Sequence, residues 1–199
     1  MRAEGLRARV RRRFVVTTVV DPGLPVAANV LDRAFSPTSP DEAWAGDITY
    51  IRTQRGWLYL AVVLDLFARR VVGWAVSDRL HQELALEALR KALALRRPGA
   101  GLTHHADRGS QYCATAYQAE LKKHGIRISM SGKGNCFDNA VVEAFFKTLK
   151  SELVWRTVFQ TRAEAKAAIG RYIDGFYNPV RRHSTLDYLS PVQFERIAG

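Results

Sequence analysis

The sequence predicts an α/β fold built on a mixed five-stranded sheet, and three observations lead to this prediction. Three apolar runs of β type follow one another with short connections between residues 44 and 77, which is typical of an antiparallel meander. From residue 81 onward, amphipathic helical patterns alternate with short strand patterns. The chain has 199 residues, of which 47% are hydrophobic, enough for the core of one domain. A meander followed by alternating helices and strands predicts a mixed sheet with helices on its faces.

The meander is justified strand by strand. Trp44–Arg52 mixes apolar and polar residues in a β-type run, and Thr53–Gly56 has the composition of a turn. Trp57–Asp65 is a nearly continuous apolar run, and Val71–Ser77 returns after a second short turn. These three segments are the predicted first, second and third strands.

The second half of the predicted fold alternates helix with strand. The predicted elements, in order, are a helix over His81–Leu95, a strand over Leu102–Ala106, a helix over Thr115–His124, a strand over Ile126–Met130, a glycine loop over Ser131–Asn135 and a long helix from about Asp138 to Val154. Arg97-Pro98-Gly99 stops the first helix, and Gly125 ends the second. The resulting order, β-β-β-α-β-α-β-α, is the order seen in ribonuclease-H-like folds.

Three segments are expected along the chain. Residues 1–42 form a basic N-terminal arm, with six arginines in the first 13 residues, and a linker rich in Pro, Asp and Ser. Residues 43–156 form the core. Residues 157–199 form a helical extension, in which Arg162–Tyr177 is one predicted helix and Ser190-Pro191 begins another.

The charge balance indicates a polyanionic partner. The chain carries 30 Lys and Arg against 19 Asp and Glu, a net charge of +11, with a pI of about 10.1. A membrane surface is the competing polyanion, but no run approaches the roughly 18 apolar residues of a membrane span. The first ten residues contain Arg2, Arg7 and Arg9 and no apolar stretch, unlike a secretory signal. We therefore expect a cytoplasmic protein that binds nucleic acid.

Three carboxylates are the candidate catalytic residues: Asp47 in the first strand, Asp107 just after the fourth, and Glu143 in the long helix. In the proposed strand order the fourth strand can lie beside the first, so the three acids can meet at one patch. Burying acids among apolar residues is unfavourable unless a cation meets them. Two divalent ions roughly 3.5–4 Å apart can activate the nucleophile and neutralise the leaving group of a phosphodiester. Carboxylate oxygens suit Mg²⁺ or Mn²⁺ better than zinc.

The helix that carries Glu143 supports the same interpretation. Lys147 and Lys150 follow Glu143 by four and seven residues, so all three project from one face. Alone, the pattern would indicate only a surface ion pair. Two other acids are better explained structurally: Asp65 by the turn after the second strand, and Asp138 by an N-cap at the helix start.

Four motifs resemble the catalytic core of bacterial insertion-sequence transposases with a retroviral-integrase-type Asp-Asp-Glu core. They are Trp44-x-x-Asp47-Ile48-Thr49-Tyr50, His105-Ala106-Asp107-Arg108-Gly109-Ser110-Gln111-Tyr112, the stretch from Ser131 to Ala140 leading to Glu143, and Tyr177-Asn178-Pro179-x-Arg181-x-His183-Ser184-x-Leu186 with Leu189-Ser190-Pro191. Thirty-five residues, 108–142, separate the second acid from the third, which is the family's spacing. The resemblance extends from about Trp44 to the end of the chain.

The resemblance implies a metal-dependent transposase that frees a 3′-hydroxyl at an element end and uses it to attack another phosphodiester. Asp47, Asp107 and Glu143 would be the ligands of Mg²⁺ or Mn²⁺, with two ions expected. Lys147 and Lys150 match positions that contact DNA in related integrases, and the nearness of Arg108, Lys133 and Asn139 to the acids extends the expected DNA contacts to them. The partners implied are element-end and target DNA, at least one further copy of the chain, and a first-frame helix-turn-helix protein; the location implied is the bacterial cytoplasm at the nucleoid.

Two alternatives stay open from the sequence. A ribonuclease-H-type nuclease would use the same metal site without strand transfer. A non-catalytic remnant of an inactive element would bind DNA through its basic surface alone, although the intact set of acids argues against it.

Overall fold

The computed structural model describes residues 26–132 and 136–198, and its centre is one mixed five-stranded sheet. The strands are β1 (Ala43–Thr53), β2 (Gly56–Asp65), β3 (Arg70–Ser77), β4 (Thr103–Ala106) and β5 (Arg127–Met130). Their order across the sheet is β3-β2-β1-β4-β5. The first three strands pair antiparallel, whereas β4 runs parallel to β1 and β5 runs parallel to β4. The predicted mixed five-stranded sheet is confirmed.

Helices cover both faces of this sheet. They are α1 (Gln82–Arg96), α2 (Ser110–Cys113), α3 (Thr115–Lys123), α4 (Ala140–Glu152), α5 (Arg162–Tyr172) and α6 (Pro191–Ala198). Short 3₁₀ turns cover Cys136–Asn139, Val154–Arg156 and Ser184–Leu186, and a π-helical turn covers Ile173–Tyr177. No helix among the described residues is long and apolar enough to cross a membrane.

The core has two parts, one on each face of the sheet. On the first face, Trp44 packs with Leu89 of α1 and Tyr117 of α3. On the second face, Leu60 and other sheet residues pack with Phe145 of α4 and with residues of α5. Because successive side chains of a strand point to opposite faces, β1 contributes to both parts: Trp44 belongs to the first, and Ala43 and Ala45 belong to the second.

The structure departs from the predicted elements mainly at their ends. The predicted helix from Asp138 to Val154 is divided into the 3₁₀ turn Cys136–Asn139, helix α4 and the 3₁₀ turn Val154–Arg156. The predicted helix Arg162–Tyr177 is α-helical only to Tyr172, after which the π-helical turn begins. Helix α2 has four residues, too few for a periodic pattern to identify it in the sequence.

The described part of the linker, residues 26–42, has no helix or strand of its own, and it runs beside β5. The backbone N–H of Met130 donates to the carbonyl of Ala28 at 3.2 Å. The N–H groups of Val30 and Leu31 both donate to the Ser129 hydroxyl at 2.9 Å. The side chain of Leu31 is buried in the second part of the core. The linker is therefore packed onto the sheet from Ala27 onward.

Candidate active site

The pairing of β1 with β4 brings the first two acids together. The parallel register runs from Ala43 opposite Thr103 to Gly46 opposite Ala106, where β4 ends. The next position on β1 is Asp47, and the next residue after β4 is Asp107. Because paired residues of neighbouring strands lie about 4.8 Å apart, this register places the two aspartates side by side at the end of β4.

The face on which Asp47 lies also determines which helix it meets. Ala43 and Ala45 belong to the part of the core that contains α4. Side chains alternate along a strand, so Asp47 points to the same face as these two alanines. Val142 of α4 is fully buried on that face, and Glu143 follows it at the solvent side of the helix. All three candidate acids thus lie on one side of the sheet.

The three carboxylates affect one another electrostatically. The pKa of Asp47 is raised well above its ordinary value, first by burial, then by the negative charge of Asp107, with a further contribution from Glu143. The pKa of Glu143 is raised by burial and by Asp107. The N–H of Ile48, 2.7 Å from Asp47 Oδ1, and the charge of Lys150 partly compensate. This is a concentration of negative charge that a cation would relieve.

The acids are neighbours, but they do not form a closed ligand set. Among the described residues, no group of three or more His, Cys, Asp or Glu side chains is close enough to hold a metal ion. Asp47 and Asp107 are partly buried, whereas Glu143 is exposed on its helix. Their donor atoms are all carboxylate oxygens, the type that Mg²⁺ and Mn²⁺ prefer. The chemistry of the set therefore fits such ions, and Glu143 is the most exposed of the three candidate acids.

The loop after β4 fixes Asp107 and Arg108. The N–H of Gly109 donates to Asp107 Oδ1 at 2.9 Å. A side chain at Gly109 would bring its Cβ to 2.9 Å from the same oxygen, so a larger residue would displace the carboxylate. Arg108 donates from Nε to the carbonyl of Ser131 at 2.7 Å, which ties this loop to the one that leads towards α4.

The predicted DNA-contact residues occupy different environments. Lys147 is exposed on α4, and Lys150 is half-buried; burial lowers the Lys150 pKa, and the charge of Asp47 opposes this shift. Asn139 is buried and donates to the carbonyl of Gly46 at 3.3 Å, and its Oδ1 has no hydrogen-bond partner in the described part of the chain. Lys133 lies outside the described residues. Of the described residues, Lys150 interacts with the charge of Asp47, and Asn139 bonds to Gly46, the residue before Asp47.

Asp138 is not the N-cap that the sequence predicts. It lies inside the 3₁₀ turn, and the residue at the N-cap of α4 is Asn139, which makes no side-chain capping bond. The carboxylate of Asp138 instead accepts hydrogen bonds from the Gly132 N–H at 2.9 Å, Asn29 Nδ2 at 3.1 Å and Arg33 Nε at 3.0 Å. These bonds lower its pKa, that of Gly132 most. Asp138 therefore joins the linker to the segment that precedes α4, a role without a local sequence signal.

Asp65 lies away from the site, as its turn role predicts. Its Oδ1 accepts the Phe67 N–H at 2.8 Å, which confirms the turn. Its Oδ2 accepts the Asp41 N–H at 2.9 Å and lies 3.3 Å from Arg96 Nη2. Burial raises the pKa of Asp65 to about 6, against these hydrogen bonds and the charge of Arg96.

The hydroxyl of Tyr112 is a feature of the site that the sequence did not single out. It is buried and has no hydrogen-bond partner among the described residues. Burial raises its pKa, and the charges of Tyr117, Asp47 and Asp107 raise it further. The ring packs so close to β1 that a Cβ at Gly46 would lie 3.3 Å from it. The only signal was its place at the end of the Asp107 motif.

Comparison with known families identifies two matching models along the chain. The integrase core domain model matches residues 37–136, which include β1 to β5 and both aspartates. A second integrase core domain model matches residues 143–197, from Glu143 through the C-terminal helices.

Several curated relatives match nearly the whole chain. Transposase InsF for insertion sequence IS3A of Escherichia coli (strain K12) is 48% identical over 195 residues, which is 98% of this chain and 68% of the relative. The insertion element IS600 uncharacterized 31 kDa protein of Shigella sonnei is 47% identical over 95% of this chain and 70% of its own length. This chain thus corresponds to about two thirds of these relatives.

Solved structures with the same fold are retroviral integrases. One chain of the simian T-cell lymphotropic virus intasome, solved in complex with PP2A regulatory subunit B56 gamma, superposes with a TM-score of 0.66 at 20% identity, over 88% of this chain and 60% of that one. The HTLV-2 integrase catalytic core domain, solved in complex with magnesium, gives a TM-score of 0.58 at 16% identity, over 79% of this chain and 97% of that one. The fold is therefore that of the integrase catalytic core, which is ribonuclease-H-like.

Proposed function

The chain belongs to the insertion-sequence DNA transposases with an integrase core domain, and from this premise we propose that Asp47, Asp107 and Glu143 are its catalytic, metal-binding carboxylates. The observation that carries the proposal is the β1–β4 register, which aligns Asp47 with Asp107 on the face where α4 presents Glu143. The raised pKa values of Asp47 and Glu143 also support it, because the charge of Asp107 contributes to both shifts after burial, the largest cause.

We propose Mg²⁺ or Mn²⁺, two ions in all, as the cations that these carboxylates hold. The ions supply activation of the attacking oxygen and neutralisation of the leaving oxygen in phosphodiester transfer. The protein's part is to fix the ligands: the Gly109 N–H orients Asp107, and the Ile48 N–H orients Asp47. The carboxylates bind a metal ion only in their ionised form. Protons therefore compete with the divalent cation at low pH.

The basic residues around the acids provide the DNA contacts in this proposal. Exposed Lys147 and half-buried Lys150 lie on the face of α4 that carries Glu143, so they can receive the phosphates on either side of the scissile bond. Arg108 follows Asp107 in the sequence, Asn139 bonds to the Gly46 carbonyl beside Asp47, and Lys133 is included from its place in the sequence alone. The reaction is cleavage at an insertion-sequence end and transfer of the freed strand to target DNA.

The assembly in which this occurs is also proposed. Joining two element ends to one target needs at least two copies of the chain, and a first-frame helix-turn-helix protein is the expected source of end recognition. We propose the bacterial cytoplasm, at the nucleoid, as the place of action. The net charge of +11 agrees with a DNA partner.

Cleavage and joining of a duplex that carries the element end tests the proposal. We expect the protein to nick this duplex with Mg²⁺ or Mn²⁺ and to join the cut strand to a second duplex. Glu143→Gln and Asp107→Asn remove a ligand each and should lower both activities by a factor of at least 100. Glu87→Gln is the matched control, since Glu87 is an exposed glutamate paired with Lys91 on α1.

Each outcome of this experiment has a distinct meaning. Nicking without any joined product would indicate the ribonuclease-H-type nuclease. DNA binding without nicking in the parent protein, unaffected by Asp107→Asn, would indicate the non-catalytic remnant. Equal nicking by the parent and by Glu143→Gln would remove Glu143 from the mechanism.

A further inference from the structure

We propose that Arg181, in the C-terminal segment, is a positioning residue for Glu143, and that it acts through Glu152 at the far end of α4. Arg181 and Tyr172 hold the Glu152 carboxylate, and we call these three residues the Glu152 cluster. By fixing the rotation of α4 about its axis, the cluster sets the direction in which Glu143 points. The inference rests on the proposed role of Glu143 as a metal ligand.

The Glu152 cluster is a short-range, multidentate contact. Arg181 donates from Nε to both Glu152 oxygens at 2.9 Å and from Nη2 to Oε1 at 2.7 Å. The Tyr172 hydroxyl donates to Oε2 at 2.6 Å. The side chains of Arg181 and Glu152 are only 23% and 30% exposed. Burial alone would raise the pKa of Glu152, but these hydrogen bonds and the charge of Arg181 outweigh it and lower the pKa.

The segment that carries Arg181 is itself attached to the sheet, so it can restrain α4. Asn178, in the same segment as Arg181, accepts from the Val71 N–H at 3.0 Å and donates to the Val71 carbonyl at 2.9 Å, as a neighbouring strand would. The hydroxyl of Tyr177 donates to the Arg69 carbonyl at 3.2 Å, and its ring meets Phe145 of α4 edge-on at 4.8 Å. The π-helical turn ends at Tyr177. The side chains of Tyr177 and of the next residue, Asn178, both contact the sheet.

Helix geometry connects Glu152 to Glu143. Nine residues at 100° each amount to two and a half turns, so the two glutamates point to opposite sides of α4, about 13.5 Å apart along its axis. A rotation of the helix therefore moves both carboxylates together. At a radius of about 5–6 Å, a rotation of 20° moves a carboxylate by about 2 Å, whereas metal–ligand distances vary by only about 0.2 Å. A small rotation decides whether Glu143 can share an ion with the aspartates.

The opposite end of α4 is held by a different polar contact. Its N-cap residue, Asn139, makes no side-chain capping bond but donates to the Gly46 carbonyl at 3.3 Å, and Glu143 is exposed in the first turn. The three acids do not yet form a closed ligand set within the described residues. The hydrophobic contacts of Val142, Phe145 and Leu149 hold α4 on the sheet, but apolar packing tolerates small rotations better than a bidentate ion pair does. The Glu152 cluster is thus the polar contact that restrains the rotation at the C-terminal end of α4.

The test measures Mn²⁺ binding to the full chain by titration calorimetry, with Mn²⁺-dependent nicking as the second readout. We expect Arg181→Ala to weaken Mn²⁺ binding about 10-fold, the low end of the effect of losing a partner that orients a metal ligand directly, with unchanged circular dichroism at the assay temperature. Arg182→Ala, at the exposed neighbouring arginine, is the matched control and should bind as the parent does. Charge exchange, Glu152→Arg with Arg181→Glu, should recover part of the affinity that either single change removes.

The outcomes separate this inference from the proposed function. Parent-like Mn²⁺ affinity of Arg181→Ala, alongside weakened binding by Glu143→Gln, would overturn the positioning role and leave the proposed function intact. Parent-like affinity of Glu143→Gln would instead overturn the role of Glu143 itself. If Arg181→Ala does not fold, Tyr172→Phe removes only the 2.6 Å hydrogen bond to Glu152, and parent-like Mn²⁺ binding by this variant would contradict the inference equally.

Discussion

Asp47 illustrates at the residue scale how a candidate catalytic residue can oppose stability. Its carboxylate is held by one backbone N–H at 2.7 Å, while burial and two neighbouring acids raise its pKa. A raised pKa means that the folded state favours the protonated form. The associated stability is present below the ordinary aspartate pKa of about 4 and is lost as the pH rises through the raised value. At neutral pH the metal-free protein is therefore destabilised by this residue.

Asp47→Asn should make the metal-free protein more stable at pH 7. The amide keeps an acceptor for the Ile48 N–H and removes the charge whose pKa is raised by burial and by the neighbouring acids, so we expect the free energy of unfolding to rise. The difference should disappear below pH 4, where the parent carboxyl is protonated. Urea denaturation with a chelator at both pH values measures it, and Mg²⁺ should then stabilise the parent but not the variant. Identical urea unfolding curves for the parent and for Asp47→Asn at both pH values would contradict the destabilising role of the Asp47 charge.

At the scale of elements, the close contact of β3 with α1 depends on Gly73. A Cβ at this position would lie 2.2 Å from the carbonyl oxygen of Ala88 and 2.7 Å from the backbone nitrogen of Ala92. Both are helix backbone atoms, which cannot rotate away as a side chain can. The helix lies this near because small residues, Ala88 and Ala92, face the strand.

Gly73→Ala should therefore separate α1 from the sheet. We expect a loss of about 1–3 kcal/mol, the usual effect of overpacking a close-packed interior, measured as a fall in the urea midpoint with circular dichroism. Gly99→Ala is the matched control, since nothing lies within 4 Å of a Cβ there. A Gly73→Ala protein as stable as the control would show that α1 can shift at little cost.

The sequence predicted the strands and helices more accurately than it predicted the contacts between them. The apolar runs of β1 and β2 predicted these strands to within one residue, since period and composition are local signals. The spacing of Glu143, Lys147 and Lys150 similarly predicted one helix face. The register that sets Asp47 against Asp107 is non-local, so the sequence could indicate only that the strands are neighbours. The roles of Asp138 and Glu152 depend on distant partners, Arg33 at 105 residues and Arg181 at 29 residues, and no local pattern encodes them.

At the scale of the whole molecule, the segments predicted as core and extension share one hydrophobic interior. Phe159, Ile169, Ile173 and Tyr177 of the extension lie in the same buried cluster as Leu60, Val62 and Phe145. Glu195 of α6 also forms ion pairs with Arg70 of β3 and Arg96 of α1. The boundary between 156 and 157 stays a prediction, but the packing indicates that the two segments unfold together.

Ile169→Ala tests this shared interior. The side chain is fully buried in the cluster, so its truncation should lower the free energy of unfolding by about 2–5 kcal/mol. The whole chain should still unfold in one transition, seen both by circular dichroism and by tryptophan fluorescence. Val180→Ala removes an exposed side chain of the same segment and should change little. Two separate transitions in the variant would show that the extension is an independent unit.

The parallel pairing of β1 with β4 has a consequence for how the protein acquires its site. The chain must pass through β2, β3 and α1 before residues 103–106 can dock beside residues 43–46, and such distant pairings form late in folding. During synthesis, the meander can therefore fold while Asp107 is still in the ribosome. We therefore expect Asp47 and Asp107 to meet only after the meander and α1 have formed.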